Sequence, residues 1–167
     1  MRYMLVMGMA FVAVCMDLAM EKIANGGILI FALIGIGYQL STLGTAGFWR
    51  YLSGAGIPLL MLFMLFVFRM LGPGDIKLLS VLGGIMGAAA IVRCIVISFL
   101  FGAALSAAFI VACGNLQQRL RYFADYVSYF IHTKEICPYY KPGAQIENIH
   151  FSIPIFMSVI LYVGGFY

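Results

Sequence analysis

The sequence predicts an all-α, polytopic membrane protein with six transmembrane helices. Three observations point there. Of the 167 residues, 64% are hydrophobic and 10% are charged, where a soluble domain is about a quarter charged. The apolar runs are continuous rather than alternating, so helices and not a closed barrel satisfy the backbone in lipid. Breaks of Gly, Pro and charge cut the chain into runs near the ~20 residues that cross a bilayer. This length fits five to seven short-looped spans and no large soluble domain, so residues 1–167 read as one transmembrane domain.

The expected spans follow in order. Span 1 covers about Met4 to Met20 and carries Asp17 near its end. Its only preceding charge is Arg2, and no small-x-small cleavage site appears before Asp17, so it reads as a retained span and not a signal peptide. Glu21, Lys22 and Asn25-Gly26-Gly27 form a polar break. Span 2 runs from about Ile28 to Leu43, with Gly35 and Gly37 available for close packing. The stretch from Gly44 to Gly56 holds Trp49, Arg50 and Tyr51, an interfacial mixture, and reads as a connection. Span 3 runs from about Ile57 to Met70, or starts earlier at Phe48.

Span 4 starts at Asp75 and continues to about Ile91, with Arg93 marking a turn. Span 5 covers about Ile95 to Cys113, with Gly102, Ala103, Ser106 and Ala107 at helix-packing spacing. A polar segment, about 115–148, then offers aromatic residues that suit the bilayer surface. Span 6 covers about Ile149 to Tyr167, with Pro154 near its start. Cys15, Cys94, Cys113 and Cys137 form no C-x-x-C pair, so neither a metal site nor a disulfide framework is expected. The net charge of +4 bears on membrane orientation and gives no sign of a nucleic-acid partner.

The chain is organised around Gly72-Pro73-Gly74-Asp75-Ile76-Lys77. Pro73 fixes φ, removes a donor and pushes Gly72 out of the helical region. Gly72 and Gly74 free the backbone for positive φ or close approach. Asp75 falls in the first turn of the next helix, where free N–H groups favour an anion. Two readings stand: a helix cap at the lipid interface, or a functional acid, the default suspicion for an ionisable residue in a membrane.

Asp17 closes span 1 and Asp75 opens span 4. Two crossings separate them, so both acids belong to one membrane face. Lys and Arg identify that face as cytoplasmic. Lys22, Arg69, Lys77, Arg119, Arg121, Lys134 and Lys141 fall on it, against Arg2, Arg50 and Arg93 on the other. Asp17 could instead pair with Lys22 or Arg69. Two adjacent carboxyls suit hydrolysis of a peptide, one ionised to activate water and one protonated to polarise the carbonyl. Like charges at short range cannot both ionise cheaply, so such a pair shares a proton and titrates as a unit.

These residues resemble the type IV prepilin peptidases, which are GxGD intramembrane aspartyl proteases. Gly72-Pro73-Gly74-Asp75-Ile76-Lys77 looks like the family's G-x-G-D-x-K motif. Asp17 with Glu21-Lys22-Ile23-Ala24-Asn25 is similar to its first motif, an Asp followed by R/K-I-P-N, with Ala24 in the proline position. Phe151 to Pro154 resembles the start of the closing helix. The paired Cys motifs of the methylase region carried by larger members are not present, so the chain looks like the short form. Tight-adherence pilus peptidases and archaeal preflagellin peptidases have that form.

The resemblance implies a membrane aspartic endopeptidase with Asp17 and Asp75 as catalytic residues and no cofactor or metal. Its expected partner is a prepilin or preflagellin-like precursor whose short basic leader is cut, typically after a glycine, at the cytoplasmic face. Gly72, Pro73, Gly74, Lys77 and Asn25 are the expected motif and substrate-edge residues. Glu21, Asp125, Glu135 and Glu147 are candidate contacts for the basic leader. Lys77 is expected one helical step from the acids, against lipid phosphate or a carboxylate. His132 and His150 read as interfacial polar residues. A GxGD protease acting on other membrane helices is the alternative enzyme, disfavoured by Met16-Asp17 where those proteases carry Tyr-Asp. A small proton- or cation-coupled transporter is the alternative outside enzymes, disfavoured by acids at helix ends rather than midplane. The sequence leaves the oligomeric state open, a homo-oligomer included.

Overall fold

A computed structural model describes residues 1–20, 24–68, 70–113, 121, 125, 128, 129 and 150–167. The described residues form six helices and no strand: α1 (Arg2–Met20), α2 (Asn25–Leu43), α3 (Thr45–Val67), α4 (Pro73–Met86), α5 (Ala88–Cys113) and α6 (Ser152–Val163). Four of them, α1, α2, α3 and α5, are long and apolar enough to cross a membrane. The other two are shorter. At 14 and 12 residues, α4 and α6 rise about 21 and 18 Å, below the ~30 Å of a hydrocarbon core.

The short helix α4 is the centre of the molecule, packed against α1, α2, α3 and α5. Ile76 and every residue from Leu78 to Met86 are buried, whereas Lys77 is exposed. A helix enclosed by other helices can stop inside the bilayer, provided its terminal carbonyls find donors. The donor is Gln39, which is 3% exposed. Its Nε2 donates to the Gly84 carbonyl at 2.9 Å and lies 3.3 Å from that of Ile85.

A close seam joins α3 and α4. A Cβ on Gly54 would strike the Gly83 carbonyl, and a Cβ on Gly83 would strike that of Gly54. Pro58 is buried inside α3 and lacks the N–H that would otherwise bond the Gly54 carbonyl. That carbonyl is therefore free to face Gly83.

Two connections differ from expectation. The break between α2 and α3 is confined to Gly44, at φ 59°. Trp49, Arg50 and Tyr51 belong to α3, with Trp49 and Arg50 exposed and Tyr51 buried. A 23-residue helix is about 35 Å long, so its first turns stand at the interface without leaving the helix. The corner between α4 and α5 falls at Gly87, at φ 93°, and not at Arg93. Arg93 is an exposed residue of α5, whose 26 residues likewise outrun the hydrocarbon. Of the two glycines expected to pack in α2, Gly35 meets Tyr51 and Ile85, and Gly37 faces nothing within 4 Å.

Helix α6 packs antiparallel along α1 and also touches α5. Tyr3 meets Tyr162 with ring centroids 5.3 Å apart, and Phe11 meets Phe156 at 6.0 Å. At the other end Asp17 meets Ser152. The Arg2 guanidinium lies 5.1 Å from the Tyr3 ring centroid, a cation–π distance. The chain then folds back, and the Tyr167 hydroxyl donates to the Ser158 carbonyl at 2.8 Å.

Candidate active site

The buried stripe of α1 is Val6, Met9, Ala10, Ala13 and Asp17, a helical spacing that makes Asp17 the last inward position of an apolar face. Asp17 is 8% exposed, and a carboxylate so placed needs partners. Ser152 supplies one, its Oγ donating to Asp17 Oδ2 at 2.6 Å. His150 supplies another, with Nδ1 3.2 Å from the same oxygen. Both lie 133 or more residues along the chain from Asp17, brought back by the antiparallel docking of α6.

Asp75 is positioned by local chemistry. Gly72 is the N-cap of α4, with φ −69° and ψ 145°, and Pro73 takes the first helical position, where its missing N–H costs nothing. Asp75 is then the third helical residue. Its carboxylate turns back to the Gly72 main-chain N–H, one half of a capping box. It is half-buried and within electrostatic reach of Asp17 and His150.

The two acids line one cavity of about 560 Å³. Its floor and walls come from Leu71 and Gly72 before α4, Phe99, Gly102, Ala103 and Ser106 of α5, and His150 and Phe151 before α6. Gly102, Ala103 and Ser106 were expected to pack a helix. Gly102 does approach Phe151, but the three also line the cavity that holds the acids.

The remaining expected residues scatter. Lys77 does not reach the acids. It is exposed, and its Nζ donates to Asn25 Oδ1 at 2.8 Å, tying the first turns of α4 and α2 together. Neither Gly72 nor Gly74 holds a positive φ; among the described residues Gly44, Gly87 and Gly165 do. Asp125 is exposed. Glu21, Glu135, Glu147 and His132 lie outside the described residues, as do Lys22 and Arg69, the partners considered for Asp17. His150, read as an interfacial polar residue, lies against Asp17 instead, and Ser152 was not singled out. A signal existed for both: the start of span 6 falls on the face of Asp17 and Asp75 by the same counting of crossings.

Long apolar helices around a buried central helix, with two carboxyls in one cavity, define a multi-pass membrane protein with a polar site at one end. A family model described as the type IV leader peptidase family matches residues 4–107, which include both acids. The chain belongs to that family and is a peptidase. No curated protein and no solved structure matches it.

Proposed function

We propose that the protein is an aspartic endopeptidase that removes the short basic leader of type IV prepilin-like precursors at the cytoplasmic face of the membrane. The observation that carries the reading is the meeting of Asp17 and Asp75 in one cavity, from helices far apart in sequence. One carboxylate takes a proton from water as its oxygen attacks the scissile carbonyl carbon. The other carboxyl gives its proton to the carbonyl oxygen. The resulting diol collapses as the C–N bond breaks and a proton passes to the departing nitrogen. The Gly/Ala/Ser wall of α5 leaves room for an extended substrate backbone beside the acids. The exposed Asp125 lies in the polar segment, where a basic leader would find it.

The test is cleavage of a precursor with a basic leader and one hydrophobic helix by the purified protein. Asp17→Asn and Asp75→Asn are each expected to lower the rate by roughly 10²–10⁴-fold or more while inserting normally. Either mutant working near the wild-type rate removes the aspartic assignment. No metal-ligand spacing occurs in the sequence, so chelators are expected to leave the rate unchanged. Inhibition by a zinc chelator that added zinc reverses would contradict this.

A further inference from the structure

Ser152 and His150 lie beyond the residues that the family match covers, and neither belongs to the motifs around Asp17 and Asp75. We propose that they are positioning residues that hold Asp17 as the ionised member of the pair, making Asp17 the general base and Asp75 the general acid. The roles rest on the aspartic reading above; the state of Asp17 does not.

Ser152 is fully buried, and its hydroxyl donates to Asp17 Oδ2 at 2.6 Å, the short range of a bond to a charged acceptor. His150 Nδ1 approaches the same oxygen. The Ser152 hydroxyl donates to Oδ2 and His150 Nδ1 lies beside it, and bonds to the charged form favour ionisation. They also leave Oδ1 as the oxygen that takes one from water. Two neighbouring acids resist double ionisation, so holding Asp17 ionised leaves the shared proton on Asp75. Among the described residues, the titratable groups that share the cavity with Asp17 are Asp75 of α4 and His150 before α6. The lining residues of α5 are Phe99, Gly102, Ala103 and Ser106, none titratable. Lys77 is turned to Asn25, and Cys15 of α1 itself is exposed.

The full chain in detergent, with carbon-13 at the aspartate Cγ, reports each carboxyl directly, and Asp17→Asn and Asp75→Asn assign the signals. Asp17 is expected to ionise at lower pH than Asp75. Removing a bond to a charged group costs roughly ten- to a hundredfold, so Ser152→Ala should raise the Asp17 midpoint by about 1–2 pH units. Ser152→Thr, which keeps the hydroxyl, should restore it. His150→Ala should also raise it, and His150→Asn, which keeps a donor near Oδ2, less so. In cleavage, Ser152→Ala should move the acid limb of the pH–rate profile upward by the same interval, because the base now protonates at higher pH. Below that limb kcat falls and KM holds.

Asp75 ionising first in the wild type overturns the proposal. So does an Asp17 midpoint that neither Ser152→Ala nor His150→Ala moves. If Ser152→Ala does not fold, the two substitutions at the partly exposed His150 decide. A protein that cleaves no leader-bearing precursor overturns the base and acid roles together with the aspartic reading. The titration still decides whether Ser152 and His150 hold Asp17 ionised.

Discussion

Gly72 and Gly74 flank the same proline, but of the two only Gly72 lines the cavity. Both have backbone angles open to any residue, so strain separates neither from alanine. At Gly72, however, a Cβ would sit 3.2 Å from Asp75 Oδ2, and the carboxylate would have to give way. Misplacement of a reacting group by a fraction of an ångström is costly. Gly72→Ala is therefore expected to lower kcat roughly tenfold with unchanged thermal stability. Gly74, absent from the cavity lining, lies inside the first turn of α4. Gly74→Ala is expected to keep turnover within a few-fold. A hundredfold loss for Gly74→Ala in a stable protein would mean that its backbone touches substrate. At this scale the sequence was legible where chemistry is local. Asp17 and Asp75 could be paired by counting crossings, and the cap at Asp75 by its neighbours. His150 and Ser152 could not, because their meeting with Asp17 depends on the depth at which α6 docks.

Among the elements, α4 depends on side chains it does not own. Gln39→Leu would leave the Gly84 and Ile85 carbonyls without their donor in an apolar interior. The expected cost is about 1–3 kcal/mol, read as a lower unfolding midpoint in detergent. An unchanged midpoint would mean that water or another group replaces the amide. The α3–α4 seam is less forgiving. Gly54→Ala drives a Cβ into a backbone carbonyl that cannot rotate away, and a loss of about 3 kcal/mol or more is expected. Gly37→Ala, which faces open space, is the matched control and should be neutral. Glycine content alone does not tell these two apart. The helix corners were misjudged for a related reason. Arg93 and Trp49-Arg50-Tyr51 announce an interface, and the sequence reading took an interface for a break. Long helices carry such residues on their protruding turns, and the true corners are the positive-φ positions Gly44 and Gly87.

At the scale of the whole molecule, the acids and the Arg2–Tyr162 cluster occupy opposite ends of the α1–α6 pair. With the acids at the cytoplasmic face, Arg2 lies outside. In a variant lacking native cysteines, Arg2→Cys is expected to react with an impermeant thiol reagent in intact cells. Asp125→Cys should react only after the membrane is opened. The reverse pattern would invert the orientation drawn from Lys and Arg. The all-helical, membrane-spanning architecture was legible from composition and run length. The central place of α4 was not, since its short apolar run differs from a lipid-facing one only in what surrounds it.

The side chains that hold Asp17 are made 135 positions after it, in the case of Ser152. A ribosome therefore delivers α1 to the membrane long before its acid can meet them. During that interval Asp17 lacks both the Ser152 hydroxyl and the His150 ring. Both acids exist once α4 has emerged, but the cavity has no α6 side. A chain interrupted between α5 and α6 would thus carry both family motifs with the cavity still unfinished. The order of synthesis itself delays assembly of the finished site until α1 to α5 have been made.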